Sequence, residues 1–325
     1  MTVSRATPDT APAATPRMRH WVHRAFGGPE VLQLEEADRP TPGEGEILLR
    51  VHAAGVNSVD ALTRRGAAPP PGGPPYVPGW DSSGTVEGLG PGVSRFRIGD
   101  EVFGMHPGGA YAEYLAAPAD SFATKPPGIS HVEAAGAPVA ALGAWQALVE
   151  LGQVRPGHRV LVHAAAGGMG HIAVQLAKAR GAFVYGTARE PKHAFLRALG
   201  VDEPIDYTTD DFVAVARDVD IALDLIGGEY GPRTMATLLP GGLLVSAVVS
   251  DPGFGETAAQ VAGVRWAPLL ATPSGARLSE LAALLADGRV QVHVEATLPF
   301  EEAAKATALV ETERTYGKLV LDLAP

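Results

Sequence analysis

The feature that most constrains this chain is a glycine cluster between an apolar strand and an apolar helix. The run RVLVHAA (Arg159–Ala165) has the composition of a buried strand, and Ile172–Arg180 has apolar residues at helical spacing. Between them lies AAGGMG (Ala165–Gly170), a G-x-G-x-x-G pattern with alanine in its first position. A second strand-like run, AFVYGTA (Ala182–Ala188), follows the helix. This order of strand, glycine turn, helix and strand predicts a βαβ unit.

Beyond Ala188 the chain continues to alternate between helical and strand-like segments. The predicted helices are Pro191–Leu199, Asp210–Arg217, Gly231–Leu238 and Ser279–Ala286. The predicted strands are Glu203–Asp206, Ile221–Ile226, Leu243–Ala247 and Val290–Ala296. Strands that alternate with helices predict a parallel sheet covered on both faces. We therefore expect an α/β fold with a doubly wound parallel sheet of the Rossmann type.

Each glycine of the cluster has a physical role if a dinucleotide is bound. Gly167 lets the backbone approach a pyrophosphate, and Gly170 lets the helix pack closely on the strand. The amide N–H groups at the helix start and the helix dipole favour the anion. The alternative is a glycine-rich turn that serves packing alone, but the repeated βαβ units favour a dinucleotide site.

The end of the second strand indicates which dinucleotide is bound. An NAD site carries Asp or Glu there, to accept a hydrogen bond from the ribose 2′-OH. This chain has Arg189 and then Lys192, while Glu190 lies one residue beyond the usual position. Two cations suit a 2′-phosphate, arginine through its planar fork and lysine as a point charge. The sequence thus predicts NADPH as the cofactor. The alternative is that both cations are solvated charges at a helix start.

The first half of the chain predicts a compact, mostly β domain. Its strand-like runs are His20–Ala25, Ile47–Ala53, Thr85–Gly88 and Glu101–Phe103. Residues 69–78, PPPGGPPYVP, are excluded from helices and central strands and are expected to form an ordered loop or a lid. A helix is predicted over His131–Leu151. The alternating run Leu319–Leu323 is expected to return to the β domain, and the Pro/Ala/Thr-rich residues 1–17 are expected to be a disordered tail.

Composition excludes several classes of function. The 325 residues carry a formal net charge of −10, which makes nucleic acid a poor partner. No run reaches the ~18 apolar residues that span a membrane, and the first residues lack the apolar core of a signal peptide. The absence of cysteine excludes disulfides, thiolate-bound metals and cysteine nucleophiles. We therefore expect a cytoplasmic protein that acts on a small-molecule substrate, with no nucleic acid and no membrane as partner.

Several stretches together resemble one known family. They are FGGPEVLQLEE (26–36), AAGVNSVD (53–60), VPGWDSSGTVEGLGPGV (77–93), FRIGDEVFG (96–104), GGAYAEYL (108–115), HAAAGGMGHIAVQLAKARGA (163–182), DLIGG (224–228) and YGKLVLDL (316–323). In them the chain resembles the zinc-independent medium-chain dehydrogenase/reductases of the NADPH-dependent quinone oxidoreductase type. The resemblance implies a GroES-like β-barrel domain over residues 18–140 and 275–325, and a Rossmann NADP-binding domain over residues 141–274. It also implies an active site in the cleft between them, and a homodimer.

The resemblance further implies roles for individual residues. Those it places around the cofactor are Gly167, Gly168, Met169, Gly170, Arg189, Lys192, Tyr207, Leu225, Ile226, Ala247, Val248 and Val249. Asn57 falls where the family has an amide close to the nicotinamide ribose and the substrate.

The resemblance implies that no metal takes part. Where zinc-dependent relatives have a cysteine ligand, residues 55–57 read Gly-Val-Asn, and where they have Gly-His-Glu, residues 79–81 read Gly-Trp-Asp. His20 and His23 stand at i and i+3 of a strand-like run and so fall on opposite faces. We expect hydride transfer from NADPH to an activated acceptor, because a quinone or enone needs no Lewis acid.

Two positions depart from the family pattern. Leu62 stands where many members have a tyrosine, and Gly143 where many have a threonine. Both positions usually face the nicotinamide or the substrate, so we assign both residues to the substrate pocket. A phenol proton donor is thus absent from its expected place, and the pocket is expected to be larger near Gly143.

Other polar and aromatic side chains are candidates for the same site. Besides Asn57, the candidate catalytic residues are Asp60 and His106. The alternative for Asp60 is a helix cap, and for His106 a place in a surface loop. Tyr76 and Trp80, around the proline-rich loop, are expected to form an aromatic wall of the substrate pocket. The alternative is that both only pack the loop.

Three functions remain open from the sequence. The first is an NADPH-dependent reductase of quinones or α,β-unsaturated carbonyl compounds. The second is a tailoring enoyl reductase or cyclase that acts on a polyketide-like intermediate. The third is a non-catalytic protein that binds NADPH.

Overall fold

Two large sheets, one two-stranded sheet and the helices around them organise the described part of the chain. The structure, a computed structural model, describes residues 16–248 and 252–324. The strands are β1 (Arg17–His23), β2 (Leu32–Asp38), β3 (Glu46–Val56), β4 (Asp81–Leu89), β5 (Glu101–Met105), β6 (Tyr114–Pro118), β7 (Phe122–Thr124), β8 (Arg159–Val162), β9 (Phe183–Ala188), β10 (Glu203–Asp206), β11 (Val219–Asp224), β12 (Leu238–Ser246), β13 (Arg265–Pro268), β14 (Val294–Pro299) and β15 (Lys318–Asp322). The α-helices are α1 (Ser58–Arg65), α2 (His131–Ala135), α3 (Pro138–Trp145), α4 (Gly170–Ala179), α5 (His193–Ala198), α6 (Phe212–Val215), α7 (Tyr230–Met235), α8 (Glu256–Ala262), α9 (Gly275–Ala286) and α10 (Ala303–Val310).

The first sheet is parallel and has six strands in the order β10-β9-β8-β11-β12-β13. The central strand β8 is buried on both faces. Val160 and Val162 pack into the core that includes α4, while Leu161 packs into the opposite core with Phe212. This doubly wound order is the one expected for a Rossmann sheet, so the predicted fold class is confirmed.

The second sheet has seven strands in the order β14-β15-β3-β4-β5-β7, with β6 paired to β3. The strand β15 runs antiparallel to β3, with Leu319 opposite Val56. The predicted return of the C-terminal run to the β domain is therefore confirmed. The same register places Lys318 beside the end of β3. The domain boundaries at residues 140/141 and 274/275 stay predictions.

The single helix predicted over His131–Leu151 is wrong, since this segment is broken into three pieces. Helix α2 ends at Ala135, α3 begins at Pro138, and the π-helical turn Gln146–Leu151 follows α3. The break has a physical reason: proline donates no hydrogen bond and restricts the residue before it. The amide of Val139 donates to the Asp81 carboxylate (2.7 Å) instead of to a helical carbonyl.

At the N-terminus, Arg17 is the first residue of β1 and pairs with Asp38, so the predicted tail ends earlier than residue 17. Residues 1–15 of that predicted tail lie outside the described residues. Within residues 16–248 and 252–324, no helix is long and apolar enough to cross a membrane.

Candidate active site

The glycine turn connects β8 to α4 and is built for close approach. A Cβ at Gly170 would lie 2.3 Å from the carbonyl oxygen of Ala164, so only glycine fits there. His171, in the first turn of α4, donates from Nδ1 to the carbonyl oxygen of Gly167 (2.9 Å) and accepts at Nε2 from the amide of His293 (3.2 Å). Burial lowers the pKa of His171 to about 4, so a neutral imidazole holds the turn.

The ends of the neighbouring strands complete this edge. The Asp224 carboxylate at the end of β11 accepts from the amides of Ile226 (2.9 Å) and Gly227 (3.0 Å). Val248, two residues beyond β12, packs against Gly227. The predicted cofactor residue Val249 lies outside the described residues. Because all these strands are parallel, their carboxyl ends meet at one edge, where a doubly wound sheet binds a dinucleotide.

The cations predicted after β9 lie at one corner of this edge. Arg189 donates from Nε to the Tyr207 hydroxyl (2.9 Å). Lys192 donates to the carbonyl oxygens of Arg314 (2.9 Å) and Thr315 (2.8 Å) and lies 4.4 Å from the centre of the Tyr316 ring. Burial lowers the pKa of Lys192.

One further residue at this corner bears on the choice of dinucleotide. The Asp206 carboxylate already accepts hydrogen bonds from within the protein, namely from the amide of Glu190 (3.1 Å) and from the amide and hydroxyl of Thr208.

At the other end of the glycine turn, three strand ends bring together Asn57, Asp81 and Lys318. Asn57 follows β3, Asp81 opens β4, and Lys318 opens β15. The Lys318 ammonium donates to Asn57 Oδ1 and to Asp81 Oδ2 (3.3 Å), and Asn57 Nδ2 donates to the same Asp81 oxygen (3.0 Å). We call these three residues the amide triad.

The amide triad is buried and closely tied to the glycine turn. Burial raises the pKa of Asp81, and the Lys318 charge and the hydrogen bond from Asn57 oppose that rise. The amide of Gly317 donates to the carbonyl oxygen of Ala166 (2.8 Å), and a Cβ at Gly168 would lie 3.4 Å from Lys318 Cδ. Sequence reasoning missed Lys318, because a charged residue at the start of an apolar strand is usually exposed.

Asp60 is fully buried and makes three internal hydrogen bonds. Its carboxylate accepts from the amides of Asn57 (2.9 Å) and Gly79 (3.2 Å) and from the Tyr111 hydroxyl (3.1 Å). The bond from Asn57 closes the N-terminal cap of α1. Burial raises the pKa of Asp60 to about 7, which the hydrogen bond from Asn57 opposes.

Tyr76, Trp80 and His106 come from two adjoining segments. Tyr76 and His23 exchange backbone hydrogen bonds (both 3.0 Å), which fix the end of the proline-rich loop. The amide of His106 donates to the carbonyl oxygen of Trp80 (2.8 Å). His106 Nδ1 donates to the carbonyl oxygen of Gly108 (2.7 Å), which leaves Nε2 for a proton. Leu62 is a half-buried residue of α1.

The expected extra space near Gly143 is not there. A Cβ on Gly143 would lie 2.4 Å from Cε and 3.1 Å from Sδ of Met169. The flexible thioether of the glycine turn thus fills the space that the missing side chain would leave. The expectation of a larger pocket at this point is wrong, because the neighbouring glycine turn places the Met169 side chain against α3.

In the described part of the chain, no group of three or more His, Cys, Asp or Glu side chains is arranged to hold a metal ion.

Comparison with known proteins gives consistent matches. One family model, described as "Alcohol dehydrogenase GroES-like domain", matches residues 43–128, and another, described as "Zinc-binding dehydrogenase", matches residues 199–321. The chain is 34% identical to a 2-haloacrylate reductase from Burkholderia sp, over 91% of this chain and 96% of that protein. Its fold is similar to that of the quinone oxidoreductase from Coxiella burnetii (TM-score 0.89, 36% identity, 95% of this chain and 100% of that chain). It is also similar to the Escherichia coli quinone oxidoreductase complexed with NADPH (TM-score 0.87, 29% identity, 94% of this chain and 99% of that chain).

Proposed function

Because the chain belongs to the medium-chain dehydrogenase/reductase family and is quinone oxidoreductase-like, we propose that it is an NADPH-dependent reductase of quinones or α,β-unsaturated carbonyl compounds. One observation carries this proposal: the amide triad adjoins the glycine turn, through Lys318 against Gly168 and Gly317 against Ala166. A nicotinamide ring bound beyond the pyrophosphate would therefore lie beside the buried and oriented polar groups of the amide triad.

The residues at the sheet edge fit NADPH. The glycine turn is a cradle that a Cβ would obstruct, and the helix start behind it favours a pyrophosphate. Arg189 and Lys192 supply cations for a 2′-phosphate, while the Asp206 carboxylate already accepts hydrogen bonds from within the protein. The NADPH bound to the Escherichia coli relative supports this assignment.

When bound, NADPH supplies the hydride. The chain's own residues orient the acceptor and handle its charge. We assign to Asn57 a hydrogen bond to the acceptor oxygen. To His106 we assign the supply of a proton from Nε2, which must first take up that proton from solvent because the Nδ1 hydrogen is donated to Gly108. Asp60 is assigned a positioning role, since all its hydrogen bonds hold Asn57, Gly79 and Tyr111. Leu62, Tyr76 and Trp80 are assigned to the wall of the substrate pocket.

We also propose that the reaction needs no zinc. The first prediction is that NADPH-dependent turnover is unchanged after dialysis against EDTA, because the donors at residues 55–57 and 79–81 are an amide and a lysine-paired carboxylate. Loss of turnover on chelation, with recovery on added zinc, would overturn this part of the proposal.

The test of the main proposal is NADPH oxidation with a panel of acceptors: a benzoquinone, an enal, an enone and an enoyl thioester. Turnover with the quinone or the enal is expected. Turnover with the enoyl thioester alone would favour a tailoring enoyl reductase. Tight NADPH binding without oxidation by any acceptor would favour a non-catalytic NADPH-binding protein.

We further propose a cytoplasmic homodimer. Support for the dimer comes from β13, which is the last strand at one edge of the parallel sheet and pairs with β12. An unpaired strand edge is a template for a second chain. Sedimentation equilibrium is expected to give twice the chain mass of 33.6 kDa, and a mass of one chain would contradict the dimer.

A further inference from the structure

We propose that Lys318 is a positioning residue that fixes the Asn57 amide, so that Asn57 presents an N–H group and not its carbonyl oxygen to the acceptor. The inference rests on the proposed function, since it takes Asn57 as the group nearest the acceptor oxygen. It concerns which acceptors the site can reduce.

The amide triad permits only one orientation of the Asn57 amide. An ammonium group can only donate hydrogen bonds, so the Asn57 atom that faces Lys318 must be the carbonyl oxygen. An ionised carboxylate can only accept, so the atom that faces Asp81 must be the nitrogen (3.0 Å). A flipped amide would place N–H groups against the ammonium and an oxygen against the carboxylate.

This orientation leaves one hydrogen of Asn57 available. The side-chain nitrogen carries two hydrogens, and one of them is donated to Asp81. Among residues 16–248 and 252–324, no hydrogen bond occupies the other. Asn57 therefore carries a free donor at the end of β3.

Lys318 is buried more deeply than Asn57. Its side chain is 2% exposed and that of Asp81 is 0% exposed. The register of β15 against β3 sets its backbone, and its methylene stem lies against Gly168. Lys318 therefore acts through Asn57, and it fixes Asn57 relative to the same turn that would hold the cofactor.

The consequence concerns the charge that forms during reduction. When hydride adds to the β-carbon of an enone, the electron pair of the C=C bond shifts and the carbonyl oxygen gains negative charge. A proton then joins the α-carbon, which completes the reduction. A fixed N–H donor stabilises the developing oxyanion, whereas a carbonyl oxygen would repel it. The site therefore selects acceptors that carry an oxygen conjugated to the double bond, and an alkene conjugated only to an aromatic ring is not reduced.

The test compares three changes at this site. Lys318→Met removes the donor but leaves Asp81 buried without its cation, so the main variant is the double change Lys318→Met with Asp81→Asn, which is neutral. Lys318→Arg keeps a cation that can donate to both partners. The control makes the same chemical change at the surface pair Lys178 and Asp202 (2.8 Å).

We expect the neutral double variant to bind NADPH with a Kd close to that of the wild type and to lose about 100-fold in kcat, with little change in KM. Lys318→Arg is expected to recover most of the kcat, and the Lys178/Asp202 control to keep it. An unchanged kcat in the folded double variant, or reduction of a styrene by the wild type, would overturn the inference.

A second readout does not need turnover. In the ¹⁵N-labelled protein, the two side-chain hydrogens of Asn57 are expected to exchange with solvent at different rates, because one is donated to Asp81. The double variant is expected to lose the slow component. If the wild type reduces no acceptor, the proposed function fails while this measurement still reports the orientation. If both hydrogens exchange fast in the wild type, the orientation itself is refuted.

Discussion

At the scale of single residues, Met169 and Gly143 form one steric unit. The Met169 thioether occupies the position that a side chain on Gly143 would need, and it belongs to the turn that adjoins the amide triad. Because methionine is flexible, a larger residue on α3 can displace it without a change in the backbone. The displaced thioether would then move within the glycine turn.

Gly143→Thr is therefore expected to raise the Kd for NADPH about tenfold. The melting temperature is expected to fall only slightly, because the flexible end of the Met169 side chain can move aside. Met169→Val shortens the side chain, and the double variant is expected to recover the wild-type Kd. Fluorescence titration of the four proteins gives the coupling. Additive effects of the two changes would show that the residues do not share this space.

Arg189 and Lys192 have different hydrogen-bond partners within the protein, so their roles can be separated by substitution. Arg189 contacts Tyr207, whereas Lys192 also supports the carbonyl oxygens of residues 314–315. Arg189→Ala is expected to raise the Kd for NADPH about tenfold and to leave the Kd for NADH unchanged, since a charge-assisted hydrogen bond to the 2′-phosphate is lost. Arg197→Ala, an exposed change on α5, is the control. Equal losses for both dinucleotides would contradict a 2′-phosphate site.

At the scale of elements, the sequence pattern predicts five of the six strands of the parallel sheet, β8 to β12, and the closing strand β15. Their apolar runs are bounded by glycine and charged residues, and this pattern can be recognised from the local sequence alone. Short strands such as β7 and β13 are missed because their pairing depends on neighbours far along the chain. The amide triad is missed for the same reason: Lys318 is buried only because β15 returns to β3, 261 residues after Asn57.

The two functional glycines of the turn to α4 can be separated by experiment. A Cβ at Gly170 would meet the Ala164 carbonyl oxygen at 2.3 Å, while one at Gly167 would lie 3.2 Å from the same atom. Gly170→Ala is expected to lower the free energy of unfolding by about 2–3 kcal/mol, because backbone must move. Gly167→Ala is expected to keep most of the stability but to weaken NADPH binding, since its Cβ obstructs the pyrophosphate.

Urea unfolding and NADPH titration of both variants measure the two effects. Wild-type NADPH affinity in Gly167→Ala would favour the alternative that the glycines serve packing alone.

At the scale of the whole molecule, the chain segments that lead into β14 and β15 tie the two sheets together. Gln175 of α4 bonds to the backbone of Gln291, His171 to His293, and Lys192 to residues 314–315. Two of these ties place neutral, buried side chains, those of Gln175 and His171, at the junction. The free energy of unfolding should therefore depend on pH through buried histidines, because burial lowers their pKa values.

His163 gives the sharpest case of this dependence. It is fully buried after β8, where Nδ1 and Nε2 bond to the hydroxyls of Thr187 (3.1 Å) and Thr234 (2.9 Å), and burial lowers its pKa to about 3. In the unfolded chain its pKa is near 6.5. Between these values the unfolded chain binds the proton and the folded chain does not, so stability falls as the pH decreases through 6.5.

For this one group the loss of stability between pH 7 and pH 5 is about 2 kcal/mol. Asp60 acts in the opposite direction, because its raised pKa lets the folded chain bind the proton first. The glutamine in the variant His163→Gln cannot titrate. Comparison of wild type with this variant therefore cancels the contributions of Asp60 and of every other titratable group that the two proteins share. The difference in unfolding free energy between wild type and variant is therefore expected to shift by about 2 kcal/mol against the wild type over this range. Urea unfolding at pH 7, 6 and 5 measures it, and parallel curves for the two proteins would show that His163 takes up its proton over the same pH range in the folded and the unfolded chain.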